Sequence, residues 1–199
     1  MRSVLSLSVR ARSSFLLACA LPFAACLSCT SASDAPAESG DGGGLCSGWP
    51  EPGVAFTSNF TGFHAWSNAA AVGPDGSTDG LHGVGPLRVY WNAAPPHGAT
   101  EFPQCTIIVK ETEETDVTQR IVFAMVKRGA GYNTSGANGW EWWSLQNNAD
   151  GTVSELWNGT IAPGGETYAN QPIGDCNGCH AMVSKNDSVW DTALQLSNF

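Results

Sequence analysis

Asp175 to Met182 read DCNGCHAM, which places two thiols, Cys176 and Cys179, two residues apart with His180 directly behind them. Three chemistries use cysteines at this spacing. A structural zinc site needs four ligands. Here Cys176, Cys179 and His180 offer three at most, adjacent Cys179 and His180 fit poorly around one tetrahedral ion, and no second Cys-x-x-Cys follows. A thioredoxin-like redox pair needs a βαβ unit before it. In covalent haem c attachment, both thiols add to the porphyrin vinyl groups and the next residue, His180, sits beneath the iron. In an exported chain the motif favours this third reading.

The position of the motif then constrains the elements around it. Only 19 residues follow His180, and Met182 is too near in sequence to reach the opposite side of a ring held by His180. Any distal group must come from upstream. Four long amphipathic helices, the scaffold of one cytochrome class with a late motif, do not fit the upstream glycines, prolines and β-branched runs. The haem is therefore expected to lie on a sheet.

The clearest strand is CTIIVKET, closed by Pro103 and an acidic segment. Alternation puts Thr106, Ile108 and Lys110 on one face and Ile107, Val109 and Glu111 on the other. QRIVFAMVKR, with Ile121, Phe123, Met125 and Lys127 on one face, is a second strand; LRVYWN, WEWWSLQN and VSELWNG are others. NNADGT is a hairpin turn. Ahead of these, NFTGFHAWSNAAAV predicts a helix capped by Asn59, with Gly62 weakening it. A short helix is expected at the cysteine motif. The fold class is α+β: an antiparallel β-sheet with flanking helices and the haem near the C-terminus.

The front of the chain reads differently. Arg2, Arg10 and Arg12 precede an apolar run from Phe15 to Cys26, and no acidic residue occurs before Asp34. This is the pattern of an export signal, and the run is shorter than the about 20 residues a bilayer span needs. LPFAAC resembles a lipoprotein processing site, with Cys26 as the lipidated residue and Phe23 where leucine is usual. Cys19 and Cys29 compete with it, and ordinary cleavage near Ala32 is the alternative. Residues 1–29 are thus a signal or lipoprotein segment and 30–44 a Gly-rich acidic tether. Residues 45–199 form the folded domain. The location expected is the bacterial periplasm, free or lipid-anchored, with membrane contact only through the anchor.

Loss of the three signal arginines leaves six Lys and Arg against 18 Asp and Glu, a formal charge of −12. Such a balance argues against nucleic-acid partners. Cys46 and Cys105 remain as a pair; in an oxidising compartment they are a disulfide candidate, with two buried thiols as the alternative. His64, His82 and His97 are read as exposed. Trp140, Trp142, Trp143, Trp157 and Trp190 are read as core or subunit contacts.

FTGFHAW, LRVYWN, FPQCTIIVKE, AMVKRGAGYN, WEWW and CNGCHAMVSKND, in this order, resemble the cytochrome P-460 family, which includes the β-sheet cytochromes c′-beta. The likeness runs from about Phe60 to Phe199. It implies a homodimer and a five-coordinate haem with His180 proximal and the distal side open. It implies that Lys110 occupies the position that bonds covalently to the porphyrin in cytochrome P-460 and does without that bond in cytochromes c′-beta. Hydroxylamine-oxidising members carry a distal carboxylate as proton acceptor; here Phe123 stands there, an apolar cap suited to uncharged diatomics such as NO. Arg88 matches an arginine that approaches the haem, with a surface or propionate ion pair as the alternative. Met125 could ligate iron, although core packing is the role expected of it. Two functions follow from the resemblance: oxidation of hydroxylamine to nitrous oxide or nitrite, with electrons passed to a partner protein, or capture of NO without turnover. An electron-transfer cytochrome is the third reading.

Overall fold

The computed structural model describes residues 44–72, 86–129, 131–166 and 175–199. The signal segment with Cys19, Cys26 and Cys29, the tether up to residue 43, and His82 lie outside the described residues. Six strands form one antiparallel sheet in which each pairs with its neighbour in sequence, in the order β1-β2-β3-β4-β5-β6. They are β1 Asn68–Val72, β2 Leu87–Trp91, β3 Ile107–Thr112, β4 Val122–Lys127, β5 Trp140–Asn147 and β6 Val153–Gly159. The helices are few and short: α1 Thr57–Phe60 and α2 Cys176–Ala181, with several single 3-10 turns. No helix among the described residues is long and apolar enough to cross a membrane.

Strand periodicity builds two cores. The pairings Val89↔Lys110↔Phe123↔Ser144↔Trp157 and Trp91↔Ile108↔Met125↔Trp142 run across one face. Val89, Trp91, Ile108, Met125, Trp142 and Trp157 pack there with Val189, Leu194 and Leu196 from the residues after α2. The other face carries Tyr90, Ile107, Val109, Val122, Ala124, Val126 and Trp143, covered by Phe60 and Phe63 from the residues before β1. The chain thus lays its front segment on one face and its last segment on the other. With two faces to cover, the strands are apolar on both sides rather than cleanly alternating.

The segment predicted as one helix from Asn59 is instead three elements. The helix begins after Phe56, and the Asn59 Oδ1 accepts from the Phe56 N–H at 2.8 Å. Gly62 adopts the left-handed conformation, φ 73°, and ends the first turn. Asn68–Val72 is then free to pair with β2, so Ala70 lies on a strand opposite Val89. Cys105 is also left-handed, φ 67°, so β3 starts at Ile107 rather than at Cys105. Cys46 and Cys105 form a disulfide, which ties the start of the domain to the entry of β3.

One buried carboxylate organises the face away from α2. Glu111, with no exposed side-chain surface, receives Tyr90 Oη at 3.0 Å, Arg120 Nη1 at 3.0 Å and Asn147 Nδ2 at 3.2 Å. His64 is exposed, as read from the sequence, yet its Nε2 reaches the same carboxylate at 3.0 Å. A buried charge with this many donors is compensated rather than reactive. His97 is exposed.

Candidate functional site

The sequence motif folds as α2. Asp175 caps it by accepting the Asn177 N–H at 3.0 Å, a first-turn bond that Asp at this position supplies well. Asn177, between the two cysteines, fastens the helix to the sheet. Its Oδ1 accepts Trp142 Nε1 at 2.9 Å and the Asn133 amide, and its Nδ2 donates to Asn133 Oδ1 at 2.8 Å. The turn carrying Asn133 comes so close that a Cβ on Gly136 would stand 2.5 Å from Asn177 Cγ. Glycine is required there by contact rather than by dihedral angle.

Cys176 and Cys179 are half-buried thiols. Cys176 packs against the apolar face. Burial first, and then the charge of Asp175, push its thiol up to about 12. A reactive redox cysteine needs the opposite, a thiol pulled below its ordinary value, so a thioredoxin-like role is disfavoured.

His180 is half-buried, its ring 4.6 Å from that of Trp142. Nδ1 lies 2.7 Å from the Ser188 carbonyl oxygen. A carbonyl only accepts, so Nδ1 carries the proton and the neutral ring presents its lone pair at Nε2. Burial lowers the imidazole to about 4, opposed by the Ser188 bond and assisted by the charge of Lys110. The ring is therefore neutral throughout the physiological range, which is the form a metal takes.

The sheet beneath brings together most of the residues singled out in the sequence. Lys110 is half-buried, close enough for its charge to act on His180, and faces Phe123 across the β3–β4 pair. Phe123 is half-buried against the apolar core. Met125 is buried between Ile108 and Trp142, a packing position. Arg88 does not join them. One residue out of phase with Val89, it points to the Tyr90 side, where its guanidinium meets Glu113 at 2.8 Å and is held above its ordinary value by that bond. Of the two readings given for Arg88, this register and ion pair fit the surface one. Trp143 likewise belongs to the far face, and Trp190 is 49% exposed with its Nε1 donating to the Cys179 carbonyl at 3.1 Å.

Four contributors were not singled out for this site in the sequence. Asp187 and Ser188 form the turn behind His180, Lys127 anchors that turn to β4, and Asn177 anchors α2 to β5. Their only sequence signal was the alternation that put Lys127 on the face of Phe123 and Met125. A fifth feature is Trp91, buried on the same face and diagonal to Lys110; the Trp91 Nε1 has no hydrogen-bond partner among the described residues. A buried indole N–H left so costs about 1–3 kcal/mol.

Among the described residues no three His, Cys, Asp or Glu side chains gather as metal ligands. One imidazole beside two thiols suits an iron whose in-plane ligands a porphyrin supplies, and not a zinc that needs four from the protein. The apolar floor of Trp142, Phe123 and Met125 fits the same group, and the buried Trp91 N–H is a donor that a porphyrin carboxylate would satisfy. The chain matches no protein-family model, no curated protein and no solved structure.

Proposed function

We propose that this chain is an exported, mono-haem c-type protein of the cytochrome P-460 kind that binds small nitrogen ligands. The observation carrying the proposal is His180: directly after Cys179, neutral, with Nδ1 held to a carbonyl so that the ring's lone pair lies on Nε2. Cys176 and Cys179 would hold the porphyrin through thioethers, His180 would be the proximal ligand, and Trp91 Nε1 would donate to a porphyrin carboxylate. Bound there, the haem supplies an iron with a coordination position for one small ligand. Phe123 lines the sheet side with an apolar ring and excludes water. Among the described strand residues, no carboxylate lies on the face that Lys110 and Phe123 share. No carboxylate is therefore at hand on that face to act as the proton acceptor, and the reading favoured is capture of NO without turnover.

A second reading is hydroxylamine oxidation to nitrous oxide or nitrite, with electrons passed to a partner protein. Lys110 favours it, because it stands where the oxidising branch of the family bonds lysine to the porphyrin. A homodimer, lipidation at Cys26 and a periplasmic or membrane-anchored location complete the proposal.

Expression with haem maturation tests it. Mass analysis should find one haem covalently added, and Cys176→Ala with Cys179→Ala should abolish the addition. Colourless wild-type protein rejects the proposal. A reduced spectrum of ordinary c-type, high-spin form that shifts on NO supports the first reading; a red-shifted Soret band with hydroxylamine turnover supports the second. In that second case Phe123→Glu should raise turnover at least severalfold.

A further inference from the structure

Asp187 and Ser188 are successive non-glycine residues in the left-handed region, φ 48° and 65°. Each such residue costs about 1 kcal/mol or more and persists only where its surroundings impose it. The imposing contacts come from β4, β5 and the loop before β3. Lys127 Nζ donates to the two carboxylate oxygens of Asp187 at 2.6 and 2.8 Å. The Phe102 N–H donates to Asp187 Oδ2 at 2.8 Å, and Trp140 Nε1 donates to the Asp187 carbonyl at 2.7 Å. Lys127 is itself buried, its ammonium 5.1 Å above the Trp140 ring. From the other side, the Asn186 amide donates to the Val189 and Leu194 carbonyls and accepts the Leu196 N–H. The outcome of this bracing is one geometric fact: the Ser188 carbonyl stands 2.7 Å from His180 Nδ1.

We infer that the buried Lys127–Asp187 pair is a positioning device for His180, holding the left-handed turn that aims the Ser188 carbonyl at Nδ1 and so setting the donor strength of Nε2. The inference rests on the haem reading, since Nε2 strength matters where iron is bound. An ion pair this far inside is weak evidence for stability, because desolvation offsets much of the attraction. Its geometric role is the better account. A carbonyl accepting from Nδ1–H makes the ring a stronger donor, strengthening the iron–imidazole bond and favouring the ferric state. Loosening the turn reverses both.

The sign of the change in potential separates this role from simple electrostatics. Deleting the Lys127 charge alone would stabilise ferric iron and lower the midpoint potential. Loss of the turn raises it. The test is therefore Lys127→Met, together with the charge-neutral double variants Lys127→Met/Asp187→Asn and Lys127→Met/Asp187→Gly, all as holoprotein. Haem content, the iron–imidazole stretching band of the ferrous form and the midpoint potential are measured. Expected are full haem content, a downshifted stretching band and a raised potential in Lys127→Met and in the Asn double variant. The Gly double variant should recover part of both shifts, because glycine holds the left-handed turn without strain. A stretching band at the wild-type position in both double variants overturns the inference. So does equal displacement in the Asn and Gly forms, or failure of both to retain haem while the wild type does. A colourless wild type overturns the haem reading itself.

Discussion

At the scale of single residues, the two faces of β3 turn adjacent charged side chains to opposite environments. Lys110 faces α2; its neighbour Glu111 faces the other way, buried under Tyr90, Arg120, His64 and Asn147. Burial, and then the charge of Glu111, push the Tyr90 phenol from 10 up to about 12. Within that window the unfolded phenol has lost its proton while the native one keeps it, so native stability falls as pH rises. The loss should amount to roughly 2 kcal/mol between pH 10 and about 12. Chemical denaturation at stepped alkaline pH should show it, and Tyr90→Phe should flatten that part of the profile. At neutral pH the same substitution should cost about 1 kcal/mol, the hydrogen bond to Glu111. Trp91→Phe on the opposite face removes an N–H with no protein partner, so the haem-free protein should lose little stability. In the holoprotein the indole should report a hydrogen bond that the haem-free form lacks, read by ultraviolet resonance Raman difference spectra.

At the scale of elements, a helix of six residues is too short to be stable alone. It depends on Asn177, which touches β5 and the turn after β4 at once. Asn177→Ala strands the Trp142 N–H, at a cost of about 1–3 kcal/mol, and removes the donor to Asn133 Oδ1, while Asn133 Nδ2 keeps the Ala137 and Trp140 carbonyls. Thermal unfolding should register the loss, and haem attachment should become inefficient although both cysteines remain. The strands themselves were readable: β-branched and aromatic runs between Pro, Gly and acidic breaks predicted five of the six, β5 and β6 to the residue and the other three within three residues at an end. What was hidden was of two kinds. Alternation tells which residues share a face but not which face receives α2, and so the sequence left Arg88 open between the haem and a surface ion pair, which its register with Glu113 supplies. The bracing of His180 was hidden for another reason, since Lys127 and Asp187 lie 60 residues apart and nothing local in either segment announces the pair. Asn68–Val72, rich in alanine, carries too weak a strand signal to outweigh the helix propensity around it.

At the scale of the whole molecule, the Cys46–Cys105 disulfide joins the segment before α1 to the entry of β3 across 59 residues. By chain entropy, closing such a loop stabilises the native state by about 4 kcal/mol. Reduction, or Cys46→Ser with Cys105→Ser, should lower the denaturation midpoint accordingly while leaving α2 and its contacts to β5 in place. The sheet has its own consequence for how the protein matures. Every strand pairs with the one just before it, so the nascent chain can zip up hairpin by hairpin, with no strand waiting for a distant mate. The residues that cover the α2 face come last, after β6. Until they arrive, the platform of Trp142, Met125 and Phe123 is open, and the thiols of α2 that follow it in synthesis are not yet covered. On the proposed haem reading, folding order thereby leaves an interval for loading the group before the C-terminal residues seal the face.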